Sequence, residues 1–259
     1  MQAIVLDIEG TTTPISFVYD VLFPFARQRL RAYLADPDNA VALREILSRL
    51  REEWAADHAP AEADGGPAEA GRGPAEAGHY VRGSGGDGGE GDGDVFDAQA
   101  YVEWLMDLDR KSPALKLLQG RIWEEGYRRG DLRGDVFADV APALRRWREA
   151  GLDVAIYSSG SELAQRLLFG TTTEGDLTPL IARFFDTAVG AKQTPDSYQR
   201  IAGELRCSPG RLLFVSDVTP ELDAAKAAGC QTLLCVRPGN RPQPSHGFRT
   251  IQSLDEIVV

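Results

Sequence analysis

From residue 140 to residue 236 the chain alternates amphipathic helices with short apolar runs, and this alternation restricts the fold more than any other feature. The runs 152–157, 184–189, 211–216 and 231–236 read as strands, and 140–150, 162–168, 196–205 and 221–228 read as helices. Gly151 and Gly229 follow two of the helices as terminating glycines. Repeated strand–helix units predict an α/β fold, a Rossmann-like doubly wound parallel sheet with helices on both faces. Ala3–Leu6 is one more buried strand of the same sheet. Whatever separates it from residue 130 is therefore inserted after the first strand.

That insertion reads as helical. Phe17, Val18, Val21, Leu22, Phe25, Leu30 and Leu34 recur at helical spacing, with a kink or break expected at Pro24. Residues 40–54, 95–108 and 112–129 give three more helices, and Ser112-Pro113 supplies the last with an N-cap and a proline at its first position. The expected organisation is a core domain of residues 1–16 and 130–259, and a helical cap domain of residues 17–129. Within the cap, residues 57–94 hold twelve glycines and two copies of Gly-Pro-Ala-Glu-Ala-Gly. So little apolar surface cannot offset the entropy of ordering it, which predicts a disordered or poorly packed insertion. His58 and His79, in or beside it, lack the rigid frame that metal ligation needs.

The same segment has nine acidic and two basic side chains, so it supplies −7 of the formal −11 and leaves the rest only mildly acidic. A negative chain argues against sequence-independent nucleic-acid binding or an anionic membrane partner. The 43% apolar fraction, with four Trp and ten Phe, suffices for a core. Cys207, Cys230 and Cys235 are odd in number and fit no metal spacing, so they read as reduced, buried thiols. The N-terminus enters a strand with no basic leader, and no apolar run approaches the ~18 residues of a membrane span, so a soluble cytoplasmic protein is expected.

Polar residues stand where each strand ends: Asp7 and Glu9, then Ser158 and Ser159, then Lys192, then Asp217 with Glu221. Ligands of open α/β sheets bind at this edge. Singly, each has an ordinary explanation. Asp7 and Glu9, the serines, and Asp217 could cap the following helices, and Lys192 could be solvated. As an ordered set they supply the acids, hydroxyl and ammonium that a phosphate and a divalent cation require. Lys111 and Lys116 beside Ser112 read first as surface lysines and second as substrate contacts.

Asp7-Ile8-Glu9-Gly10-Thr11, the strand ending in Ser158, Lys192, and Ser216-Asp217-Val218-Thr219 resemble the four motifs of the haloacid dehalogenase-like hydrolases, in their order. The extension to Thr12-Thr13-Pro14-Ile15 resembles, within them, the enolase-phosphatases of methionine salvage. So do Leu22-Phe23-Pro24, Leu118-Gln119-Gly120, Tyr157-Ser158-Ser159-Gly160-Ser161, Leu167-Leu168-Phe169-Gly170, Thr173-Glu174-Gly175-Asp176 and Val236-Arg237-Pro238-Gly239-Asn240. These stretches span nearly the whole chain except 57–94, which departs from the family's pattern.

The resemblance implies a Mg²⁺-dependent enzyme, one ion per subunit, monomeric. It would act on a small phosphorylated diketone, 2,3-diketo-5-methylthiopentyl-1-phosphate, by enolisation followed by loss of phosphate. Asp7 is then the nucleophile, Glu9 the acid and base, and Asp7, Glu9 (through its carbonyl) and Asp217 the metal ligands. Ser158 and Ser159 bind phosphate, and Lys192 offsets charge in catalysis and substrate binding. Glu221 would hold metal-bound water. The competing expectations are a phosphatase of the same fold acting on another small phosphorylated metabolite, a phospho-accepting signalling receiver, and a scaffold whose acidic insertion recruits a partner. A receiver would lack about 110 residues between its first two motifs. A serine-hydrolase elbow, Gly-x-Ser-x-Gly, is absent around Ser161.

Overall fold

The computed structural model describes residues 1–58, 96–110, 112–244 and 247–259. The insertion read at 57–94 falls outside them from residue 59 onward, as does Lys111.

β1 (Ala3–Leu6) is buried at every position, so its apolar run has no polar alternation. It pairs in parallel on both sides, Ile4 standing opposite Val154 of β2 (Asp153–Tyr157) and Leu213 of β4 (Leu212–Ser216). With β3 (Arg183–Phe185), β5 (Gln231–Cys235) and β6 (Thr250–Ile251) the order is β3-β2-β1-β4-β5-β6, and every pairing is parallel. Two-residue periodicity divides each strand between two cores. Ile4, Leu6, Val154, Ile156 and Val215 face one of them, with Leu144 and Trp147 of α5 (Val140–Glu149) and Phe169 of α6 (Glu162–Gly170). Ala3, Val5, Tyr157 and Phe214 face the other, with Tyr198 and Ile201 of α7 (Pro195–Glu204) and Leu222 of α8 (Thr219–Ala227). The doubly wound sheet is as expected.

Between β1 and α5 lies the helical layer: α1 (Phe23–Ala35), α2 (Ala40–Asp57), α3 (Ala98–Asp107) and α4 (Pro113–Arg129). It has an apolar core of its own, including Leu30, Ile46, Leu50, Tyr101, Leu105 and Leu118.

Four details differ from the sequence reading. The first helix opens with a π-helical stretch, Phe17–Leu22, and α1 proper starts with Pro24 in its first turn, where no N–H is needed. The strand expected at 184–189 stops at Phe185, because the Asp186 carboxylate accepts the Ala188 N–H and turns the chain. β6 was not anticipated, since two residues carry no periodicity. Cys230 and Cys235 are buried free thiols as expected, whereas Cys207 is only half-buried. Among the described residues no helix is long and apolar enough to cross a membrane.

Candidate active site

β1 ends at buried Asp7. The chain then folds back on itself. The N–H groups of Thr11, Thr12 and Thr13 all reach the Ile8 carbonyl, and the Thr12 hydroxyl donates to the Asp7 carbonyl at 3.0 Å. Gly10 takes a φ of +74°, and a Cβ there would stand 2.5 Å from a carboxylate oxygen of Asp217. Glycine is therefore what lets the acid loop and the end of β4 meet. Two side chains from beyond β5 hold the loop from outside. Asn240 donates to the Gly10 carbonyl at 2.9 Å, and buried Arg237 donates to that of Thr11 at 3.2 Å while pairing with Asp139 at 2.8 Å.

Lys192 comes from the loop after β3. Its main chain is fixed by the Tyr198 hydroxyl, which donates to the Lys192 carbonyl at 2.6 Å, and by Ser197 and Tyr157, whose hydroxyls hold the carbonyls of Ala191 and Gly190. Its ammonium lies 2.5 Å from Asp7 and 2.7 Å from Glu221. Ser216, at the end of β4, places its hydroxyl 3.0 Å from Glu221 and 3.3 Å from Asp7, and accepts the Val218 N–H. Ser158, at the end of β2, is fully buried and stands 3.4 Å from the Glu9 carboxylate. Capping of α6 falls to Ser161, which accepts the Ala164 N–H, so the capping account of the serine cluster does not extend to Ser158 or Ser159. Nor does Asp217 cap α8 with its side chain. The Ser159 carbonyl accepts from Lys116 of α4 at 2.9 Å, so Lys116 is half-buried in the cleft rather than solvated.

The structure thus joins Asp7, Lys192 and Glu221 directly, sets Glu9 against Ser158, and brings Asp217 to the acid loop. The Ser216 bridge and the Arg237 and Asn240 anchors were not recognised as such in the sequence. Their partners lie up to 230 residues away, beyond the reach of periodicity. All four strand ends open into a cleft of about 600 Å³. Its far wall is apolar, with Ile15, Val18, Tyr19, Leu22, Phe23, Leu115 and Trp123.

Four carboxylates (Asp7, Glu9, Asp217 and Glu221) share this space with one bonded ammonium. Burial, then the charges of Asp7 and Glu221, push the Asp217 carboxyl up to about 7. Burial and Asp7 push Glu221 to about 7 as well, and Glu9 is raised by burial and then by Asp7. Burial would lower the Lys192 ammonium, but Asp7 and Glu221 outweigh it and hold its pKa above the ordinary value. The site is short of positive charge. Among the described residues no three His, Cys, Asp or Glu side chains form a ready-made metal cage. A cation here would combine carboxylates with a main-chain carbonyl and water. That all-oxygen set fits magnesium, which keeps several of its waters.

A parallel sheet with this acid–ammonium edge and a helical insertion after its first strand defines a haloacid dehalogenase-like hydrolase, and the family of that description matches residues 1–229. Enolase-phosphatase E1 of Synechococcus elongatus is 45% identical over 99% of this chain and 98% of its own. A Vitis vinifera protein named "Probable bifunctional methylthioribulose-1-phosphate dehydratase/enolase-phosphatase E1 1" is 43% identical over 99% of this chain and 47% of its own. Among solved structures, the UTR4 protein of Saccharomyces cerevisiae superposes with a TM-score of 0.71 at 30% identity, covering 99% of both chains. The chain belongs to the haloacid dehalogenase-like hydrolases and, within them, to the enolase-phosphatases.

Proposed function

We propose that this chain is a bifunctional, Mg²⁺-dependent enolase-phosphatase (acireductone synthase). It would convert 2,3-diketo-5-methylthiopentyl-1-phosphate to 1,2-dihydroxy-3-keto-5-methylthiopentene and phosphate in methionine salvage. The observation that carries this reading is Asp7 at the foot of an apolar-walled cleft, held by Lys192 at 2.5 Å and followed two residues on by Glu9, whose carboxyl burial and Asp7 raise above the ordinary value. The relatives' names support the choice of substrate.

In this reading Asp7 attacks phosphorus in line, the ester P–O bond breaks, and an aspartyl-phosphate forms on the protein. Glu9, with its raised pKa, gives its proton to the leaving alkoxide and then takes one from the water that hydrolyses the intermediate. Ser158, Ser159 and the N–H groups at the start of α6 hold phosphate oxygens, and Lys192 balances the charge gathered at Asp7 and Glu221. Magnesium, held by Asp7, Asp217 and the Glu9 carbonyl with Glu221 behind its water, would supply the missing positive charge. In the earlier enolisation Glu9 is the proposed base. The organisation follows the same reading: residues 1–16 and 130–259 are the core, and 17–129 a cap that closes on the methylthio tail and excludes water. The protein is taken to work as a cytoplasmic monomer without nucleic-acid or membrane partners, in keeping with its net charge of −11.

The test separates the two half-reactions. With Asp7→Asn, or in thorough chelator, phosphate release from the diketone phosphate should fall at least about 1,000-fold. With Glu9→Gln, both enol absorbance and phosphate release should be lost. Phosphate release that survives Asp7→Asn overturns the nucleophile, and intact enol formation in Glu9→Gln overturns the base. Faster turnover of sugar phosphates than of the diketone would instead favour another small-metabolite phosphatase.

A further inference from the structure

Strand ends account for the phosphate half of the cleft, but the helical layer contributes a polar pair of its own. Lys116, Gln119 and Trp123 lie three and four residues apart on α4, on one face, and all three line the cleft. Two neighbouring cations are already paired, Arg27 with Asp107 at 2.5 Å and Arg110 with Asp57 at 2.6 Å. Lys116 has no carboxylate partner among the described residues. Its single bond goes to the neutral Ser159 carbonyl, leaving two of its three donors unused. Gln119 is 8% exposed, and its amide makes no hydrogen bond among the described residues. Its amide atoms are not sealed from the cleft, so they are open to a partner there. Leu115, Tyr19, Phe23 and Trp123 line the same cleft, and none of them bonds this amide.

We propose that Lys116 and Gln119 form a two-donor clamp for the two vicinal oxygens of an α-dicarbonyl substrate, and so select for that group. This rests on the enolase-phosphatase reading and deepens it. A simple phosphate ester presents nothing for the pair to hold, whereas neighbouring carbonyls present two acceptors side by side. During enolisation the C–H bond breaks and its proton passes to the base. Its electron pair becomes the new C=C bond, and the carbonyl π pair moves onto oxygen. That oxygen gains negative charge beside the Lys116 ammonium. Fixed donors at the place where charge develops stabilise the transition state more than the ground state. The Ser159 bond keeps the ammonium next to the phosphate-binding turn without occupying it.

The experiment compares Lys116→Met, Gln119→Leu, the double variant and Lys116→Arg with the unmodified enzyme, on the diketone phosphate and on a carbonyl-free alkyl phosphate of the same length. Enol absorbance and phosphate release are followed separately, alongside thermal unfolding. Expected is a loss of about 100-fold in enol formation for Lys116→Met. The carbonyl-free ester should lose far less, recovery should be partial in Lys116→Arg, and the double variant should lose less than the product of the singles. Equal losses on both substrates would mean a strut for the Ser159 turn and overturn the clamp. So would enol formation that survives in both single variants. An unmodified enzyme that releases phosphate from both esters but forms no enol would overturn the enolase reading itself, and the clamp with it.

Discussion

Gly10 shows how narrowly the acid cluster is built. Its left-handed φ of +74° and the 2.5 Å separation between a would-be Cβ and Asp217 penalise any side chain twice, by backbone strain and by collision. Gly10→Ala should therefore cost about 1–3 kcal/mol in chemical denaturation and push Asp217 aside, cutting phosphate release by about 100-fold or more. A variant with ordinary stability and turnover would show that the loop tolerates displacement. The polar strand ends were legible from sequence because a parallel sheet forces all carboxyl ends to one edge. Lys116 was not, since a lone lysine on an amphipathic helix reads as solvated and its partner, Ser159, is 43 residues away.

The elements are joined by a few buried polar links. Arg237, after β5, bonds the acid loop through Thr11, the C-terminal segment through Gln252, and α5 through Asp139. Burial alone would raise the Asp139 carboxyl, but Arg237, the Leu254 N–H and Ser253 outweigh it and hold it below the ordinary range. A carboxylate lowered by folding adds stability that is complete above its unfolded pKa, near 4, and lost as pH falls through the folded value. Arg237→Met leaves Asp139 buried without its cation and should cost about 3–5 kcal/mol at neutral pH. The variant should lose less further stability than the unmodified protein as pH drops below about 4. Urea titrations at pH 7 and pH 3.5 would check both, and parallel acid profiles would refute the link. The helices were read nearly to the residue where caps mark them. Ser112 accepts the Leu115 N–H at 2.9 Å as its sequence implies. It also donates to Glu53, which in turn takes the Ala114 N–H at 3.1 Å. Ser112→Ala should lower stability by about 1–2 kcal/mol, seen as a drop in Tm. The π-helical stretch escaped reading because its residues share the apolar spacing of an α-helix.

For the whole molecule, what matters is whether the acidic, glycine-rich stretch contributes to the architecture that carries the cleft. The residues flanking it are tied to each other without it. Trp54 packs on Phe96 with ring centroids 5.9 Å apart, the Tyr101 hydroxyl donates to Asp57 at 2.7 Å, and Arg110 grips the same carboxylate at 2.6 Å. α2 and α3 are thus closed by their own contacts, and a short bridge would span the gap. The described helices likewise share an apolar core that includes Leu30, Ile46, Leu50, Leu105 and Leu118. Replacing residues 59–95 by a short Gly/Ser linker should leave kcat/KM for the diketone phosphate within about threefold of the full chain, since loop length changes closure entropy only slowly. The deletion should begin after His58. Removing Asp57 as well would strip Arg110 and Tyr101 of their shared partner, and that variant should unfold earlier. A linker variant that folds, with an unchanged unfolding midpoint, yet loses turnover would assign the stretch a part in the reaction cycle, which nothing in the geometry of the cleft requires.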